Sequence, residues 1–262
     1  MDVGGCCAEP PGLAPTIPRV LGPLAAAVRS VRLRLWALGL RVRLARHGIR
    51  ARVAIGAGAR FHSLPHLEID ASGPPARGGT LELRIGRDVR LGRDLTLDVR
   101  PGAENRLVIG RGTIIQSWCR IQLHAGAIEL GEHVHLRDNV QLKTKSALTV
   151  GDRVVLSRDV IVHATAGVRV GDDCGIGERT SLIDSDHEID GSGGAYMHAP
   201  LRTAPIVLGR GVAVGANCVI LRGARLGDGA ALAAGSVLGE GEVPAGHLAA
   251  GAPARAVKDL RT

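Results

Sequence analysis

Aliphatic residues in this chain recur at neither the 3.6-residue step of a helix nor the two-residue step of a long strand, but every six positions over most of its length. A phrase of aliphatic, any residue, aliphatic and Gly appears as Leu83-Arg84-Ile85-Gly86, Leu107-Val108-Ile109-Gly110, Ile128-Glu129-Leu130-Gly131, Leu148-Thr149-Val150-Gly151, Val168-Arg169-Val170-Gly171 and Ile206-Val207-Leu208-Gly209. From each phrase the apolar positions continue in sixes: Ile85, Leu91, Leu97; Ile109, Ile115, Ile121; Leu130, Leu136, Leu142; Val150, Leu156, Val162; Val170, Ile176, Leu182; and an unbroken Leu208, Val214, Ile220, Leu226, Leu232, Leu238. This period predicts short strands separated by regular corners. Three strands would make one triangular turn, with the sixth-position aliphatics inside and Gly or other small residues at the tight corners. With parallel strands of successive turns about 4.8 Å apart, roughly seven or eight turns give a prism about 35 Å long. Both of its ends are open sheet edges that need a cover.

One segment has helical spacing instead. Leu24, Val28, Val31, Leu35, Leu38 and Val42 follow steps of four and three. Leu33, Trp36, Leu40 and Leu44 are expected to widen that apolar face, with Arg29, Arg32, Arg34, Arg41, Arg43 and Arg46 flanking it. The chain therefore divides into a flexible N-terminus (1–18), a basic amphipathic helix (19–50), a β-helix (51–243) with a loop at 184–205, and a C-terminal cap (244–262).

The net charge of +8 lies almost wholly in the helical segment: ten Arg and no acid stand between Arg19 and Arg60, leaving 23 basic against 25 acidic residues elsewhere. Two readings of that segment stand. It docks on an anionic membrane surface, or it caps the repeat domain or packs in an oligomer with its arginines solvated.

Only four of 262 residues are aromatic, namely Trp36, Phe61, Trp118 and Tyr196, too few for the stacking platforms of a single-stranded nucleic-acid binder. Every uncharged run is shorter than a membrane span needs, and the start lacks a signal-peptide pattern. Cys6, Cys7, Cys119, Cys174 and Cys218 show no zinc-like or redox spacing and read as reduced thiols. A cytoplasmic protein is expected, peripheral at the inner membrane face if the basic helix docks there.

The interval between the last two phrases carries 20 residues beyond one eighteen-residue turn, beginning at Leu182-Ile183-Asp184-Ser185-Asp186-His187-Glu188. Loops thrown from a rigid scaffold concentrate functional groups. An imidazole can take a proton from a hydroxyl attacking an acyl carbonyl and return it to a leaving thiolate. His187 is the candidate base, with Asp184, Asp186 or Glu188 available to orient it; the sequence does not choose among them.

From about residue 50 to 258 the pattern resembles the hexapeptide-repeat acyltransferases, most nearly the maltose and galactoside and polysaccharide O-acetyltransferases. That resemblance implies an all-β fold, a left-handed parallel β-helix, and places His187, sixteen residues after the phrase glycine Gly171, at their active-site histidine. It implies acetyl-CoA as donor, a saccharide hydroxyl as acceptor, no metal, and a homotrimer with the donor groove between chains. Val214-Gly215-Ala216-Asn217 is similar to the segment at the thioester, with the Ala216 amide as oxyanion donor. Ala234-Gly235-Ser236 is similar to the stretch along the pantetheine arm. Arg255 and Lys258 stand where basic side chains meet the nucleotide phosphates, whereas Gly239-Glu240 departs from the usual Thr-Lys. Ser157 stands where the galactoside enzymes carry an acceptor-side Asn. His163 would contact acceptor or donor, and Tyr196 or Met197 would cover a sugar face.

Two other classes are weighed beside it. A gamma-class carbonic-anhydrase-like enzyme shares the fold, and His163, His187 and His198 could supply three imidazoles, although the latter two are eleven residues apart. A non-catalytic β-helix assembly module would need neither the His187 loop nor the Gly251-to-Lys258 ending.

Overall fold

The computed structural model describes residues 22–70, 76–189, 191 and 195–261. The expected flexible tail with Cys6 and Cys7, and the loop residues Asp190, Ser192, Gly193 and Gly194, lie outside the described residues, as do the side chains of Leu24 and Arg29.

Three parallel sheets form the faces of a triangular prism. The first carries nine strands, from Arg50–Ile55 to Gly241–Val243; the second carries ten, beginning at Arg60–Phe61; the third carries eight, from His66–Ile69 to Val237–Leu238. Neighbours within a sheet come from successive turns, and the register aligns the sixth positions. Ile85 pairs with Ile109, then Leu130, Val150, Val170, Leu208 and Leu226. All the sixth-position residues from Ile85 to Leu238 named above are at most 5% exposed. Each such side chain contributes about 1.5–3 kcal/mol by leaving water, and aliphatics make up most of the filling of this narrow prism.

The phrase glycines have a cause the period does not reveal. A Cβ on Gly110 would stand 2.2 Å from the carbonyl oxygen of Gly131, and one on Gly171 would stand 2.6 Å from that of Gly209. The backbone of the next turn passes directly over each phrase glycine, so close approach, rather than a turn conformation, demands it. Elsewhere several left-handed positions fall on Asn or Asp, which tolerate them: Asn139 (φ 60°) donates from its side chain to Asp159 one turn on, at 2.6 Å.

Turn length varies at one corner only, between a third-sheet strand and the next first-sheet strand. Thr144 to Ala147 and Ala164 to Val168 are tight there, whereas Ile183 to Ile206 carries the long insertion.

The helix α1 (Gly22–Ala45) corrects the expected facing of the basic segment. Leu33, Leu40 and Leu44 are buried on the first turn, and Trp36 meets Phe61 edge-on (5.6 Å, 84°) while donating its indole N–H to the Pro65 carbonyl at 3.2 Å. The stripe read first from the steps of four and three turns away from the prism: Val28, Val31, Leu35, Leu38 and Val42 are 50–63% exposed. The four residues expected merely to widen the face are the ones that pack, because they recur at the same spacing on the opposite side of the helix.

At the far end Ala254–Asp259 pairs antiparallel with His247–Gly251 on the edge of the second sheet. Among the described residues no helix is long and apolar enough to cross a membrane. Cys119, Cys174 and Cys218 are buried free thiols; burial pushes Cys119 up to about 12 and Cys174 upward, which leaves both protonated and inert.

Candidate active site

The insertion leaves the prism as an antiparallel pair, Ser185–His187 with Leu201–Thr203, in which His187 faces Leu201. The Glu188 amide closes this neck by donating to the Pro200 carbonyl at 2.9 Å. Asp184 anchors its root. Completely buried, its carboxylate accepts from the backbone amides of Thr165 (2.7 and 2.9 Å), Ala166 (2.7 Å) and Gly167 (2.7 Å), which form the corner of the preceding turn. The Asp184 carbonyl accepts from the Ala204 amide where the chain returns. Asp184 thus holds both strands of the neck to the prism.

His187 is half-buried, and its Nδ1 lies 2.8 Å from the Ala199 carbonyl oxygen. A carbonyl only accepts, so Nδ1 carries the proton and donates it, and Nε2 presents a lone pair. Tyr196 meets the imidazole edge-on at 5.3 Å from the short 3₁₀ turn Tyr196–His198. Met197 beside it is exposed.

Two of the three carboxylates considered as partners of the imidazole, Asp184 and Asp186, are engaged elsewhere. Asp184 is saturated by the three corner amides, and Asp186 pairs with the guanidinium of Arg222, which also reaches Glu240 at 3.2 Å. The orienting group is a main-chain carbonyl. Nothing about the Ala199-Pro200 dipeptide signals that role in sequence. Arg222 also escaped the sequence reading; its ion pair with Glu240 occupies the residue that departs from the family pattern.

His163 lies on the third sheet in register between Lys143 and Ile183, one turn below the loop. Burial holds its imidazole below the ordinary value, with Lys143 and Lys145 adding to the effect and Asp184 opposing it. Among the described residues, which include His163, His187 and His198, no three His, Cys, Asp or Glu side chains are grouped to hold a metal ion.

The residues expected on the donor side sit at another corner. Ala216 follows the second-sheet strand Ala213–Val214 and precedes the third-sheet strand Val219–Leu221. Ala234 occupies the equivalent place one turn on, two residues after Leu232, and Ser157 stands one residue nearer its strand, directly after Leu156. Within one chain this column and His187 are therefore on different corners of the triangle. Gly235 takes a left-handed backbone (φ 71°), and a Cβ there would meet nothing within 4 Å. The corner is open enough for an extended ligand to lie against the backbone. Ser236 does not reach out: its hydroxyl, 1% exposed, accepts from the Gly251 amide at 3.2 Å and ties down the closing hairpin. Arg255 and Lys258 are exposed on that hairpin.

No protein-family model matches the chain. Over 156 residues it is 28% identical to the probable acetyltransferase Rv3034c of Mycobacterium tuberculosis, a match covering 53% of this chain and 48% of that protein. The chain thus spans about half the length of that curated relative. Among solved structures, a variant of AntD, an N-acyltransferase from Bacillus cereus in complex with dTDP and coenzyme A, superposes with a TM-score of 0.51 at 20% identity, covering 58% of this chain and 82% of that one. The chain has the left-handed β-helix fold of the hexapeptide-repeat acyltransferases. A hexapeptide-repeat acetyltransferase from Vibrio cholerae O1 biovar eltor, complexed with acetyl coenzyme A, is 24% identical over 58% of this chain and 70% of that one, with a TM-score of 0.41. On this hexapeptide-repeat scaffold the His187 loop is the single long departure from the ladder after the phrase at Val168.

Proposed function

We propose that the protein is an acyltransferase that moves an acetyl group from acetyl-CoA to a hydroxyl of a saccharide, with His187 as general base. The observation that carries this reading is the hydrogen bond from His187 Nδ1 to the Ala199 carbonyl, which fixes the tautomer in which Nε2 can accept a proton. The acceptor hydroxyl loses its proton to Nε2 as its oxygen bonds to the thioester carbonyl carbon. The tetrahedral intermediate then expels the thiolate as the carbon–sulfur bond breaks, and the imidazolium returns the proton to sulfur. The Ala216 amide would stabilise the oxyanion.

Donor contacts are assigned to the open Ala234-Gly235 corner and to Arg255 and Lys258, whose charge suits phosphate. Because Ala216 and His187 occupy different corners of one chain, a site using both requires two chains. A homotrimer, in which each interface brings one chain's loop to its neighbour's donor column, supplies three such sites. The relative in Mycobacterium tuberculosis is named an acetyltransferase, and AntD is held with coenzyme A and dTDP, which supports a coenzyme A donor.

The test is thiol release from acetyl-CoA with panels of saccharides, lipid-linked glycans and amino sugars, comparing the native protein with His187→Ala. Turnover on hydroxyl acceptors should fall by a factor of about 10²–10⁴ in the variant, with unchanged thermal stability. Substantial residual turnover would remove His187 as the base, and turnover confined to amino sugars would replace the hydroxyl acceptor by an amine.

A further inference from the structure

We propose that the outer face of α1 is a docking surface for an anionic lipid bilayer. The inference is independent of the catalytic reading. Capping the prism and binding a membrane are the two readings that the sequence left open for this segment, and the structure places their requirements on opposite faces of one helix. Leu33, Trp36, Leu40 and Leu44 close the first turn. That leaves Val28, Val31, Leu35, Leu38 and Val42, a stripe about four turns of helix long, turned away from the prism at 50–63% exposure. A cap needs one apolar stripe, so the second is unexplained by folding.

The charges choose the occupant. At 100° per residue, Arg32 and Arg43 fall along one side of the outer stripe and Arg34 and Arg41 along the other, all four exposed. No acidic residue stands between Arg19 and Arg60. A second copy docking through this stripe would set arginine rows against arginine rows in either orientation. An anionic leaflet accepts both features at once, the Val and Leu side chains entering the interfacial region while the arginines on both flanks meet headgroup phosphates. A cavity of about 610 Å³ beside the stripe, lined by Leu33, Arg34, Leu38, Arg41, Val53 and Ile55, extends this apolar and basic surface onto the first turn.

The experiment is co-sedimentation of the full-length protein with vesicles of phosphatidylglycerol in phosphatidylcholine and with vesicles of phosphatidylcholine alone. The native chain should partition onto the first and only weakly onto the second, and added salt should weaken binding. Leu35→Glu with Leu38→Glu should lower partition about tenfold or more. Arg34→Gln with Arg43→Gln should lower it roughly fivefold per charge, on the anionic vesicles only. Both variants should melt as the native protein does, since the replaced side chains face solvent; if the glutamate pair melts early, the arginine pair decides. Failure of the native chain to bind anionic vesicles overturns the proposal. So does equal binding to both vesicle types with no effect of the arginine variant. A glutamate pair that dissociates an oligomer while leaving vesicle partition intact makes the face a protein interface and overturns it as well.

Discussion

Asp184 offers the sharpest test of how the site is built, because its neighbours in sequence suggest an imidazole partner and its neighbours in space make it an anchor. Its buried carboxylate receives three backbone amides at 2.7–2.9 Å. A hydrogen bond to a charged group contributes about 1.5–3 kcal/mol, and removing the acceptor leaves its donors unsatisfied. Thr165 and Gly167 are half-buried and Ala166 is exposed, so water replaces part of the loss. Asp184→Ala should therefore cost about 3–5 kcal/mol, lowering the thermal midpoint by roughly 10 °C. Asp184→Asn should cost less but still register, since its amide group points N–H donors at N–H donors. Both variants should lose turnover through displacement of the His187 neck, with loss of activity tracking loss of stability across the pair. The assays are thermal unfolding by circular dichroism and acetyl-CoA turnover. A variant that melts like the native protein yet is inactive would refute the anchor and return Asp184 to the imidazole.

If Arg255 and Lys258 meet the donor's phosphates, replacing both by Ala should raise the Michaelis constant for acetyl-CoA much more than that for the acceptor, and an unchanged donor constant would reject the assignment. A pH dependence of stability follows from two histidines. Burial pushes the imidazoles of His135 and His163 below the ordinary 6.5, with Arg137 and Arg90 adding to it at the first and Lys143 and Lys145 at the second. As pH falls through 6.5 the unfolded chain takes up protons that the folded chain refuses. The contribution is thus full above 6.5, declines below it, and levels off beneath the folded values. The thermal midpoint should fall with pH across that window, and His135→Gln with His163→Gln should flatten the profile; a midpoint that rises on acidification contradicts the sign.

What was legible in the sequence is what repeats. The sixth-position aliphatics specify the inward columns because every turn imposes the same demand, and the oversized interval before Leu208 marks the loop because it is the longest between successive phrases. Less legible were features that depend on one side chain meeting another across turns. The Ala199 carbonyl that orients His187 is main chain and has no residue signature. The partner of Asp184 is a corner seventeen to nineteen residues earlier, set by the stacking of turns rather than by proximity along the chain. On α1, two apolar stripes satisfy the same helical spacing, and periodicity alone cannot say which one a prism end will take. The contact between Trp36 and Phe61 decides it.

The stacking of one turn on the next has a kinetic consequence. Leu130 meets Val150 and Val150 meets Val170, each twenty residues on, so most ladder contacts in this 262-residue chain span one turn. That corresponds to a relative contact order of roughly 0.08, in the range of helical bundles rather than of β-sandwiches. Despite being almost wholly parallel sheet, the chain closes only short loops as it folds and can extend turn by turn from wherever a first pair of turns forms. The insertion after Ile183 makes the longest closure between paired strands of the ladder, in its middle, and the turns on its two sides are the natural boundary between separately growing halves.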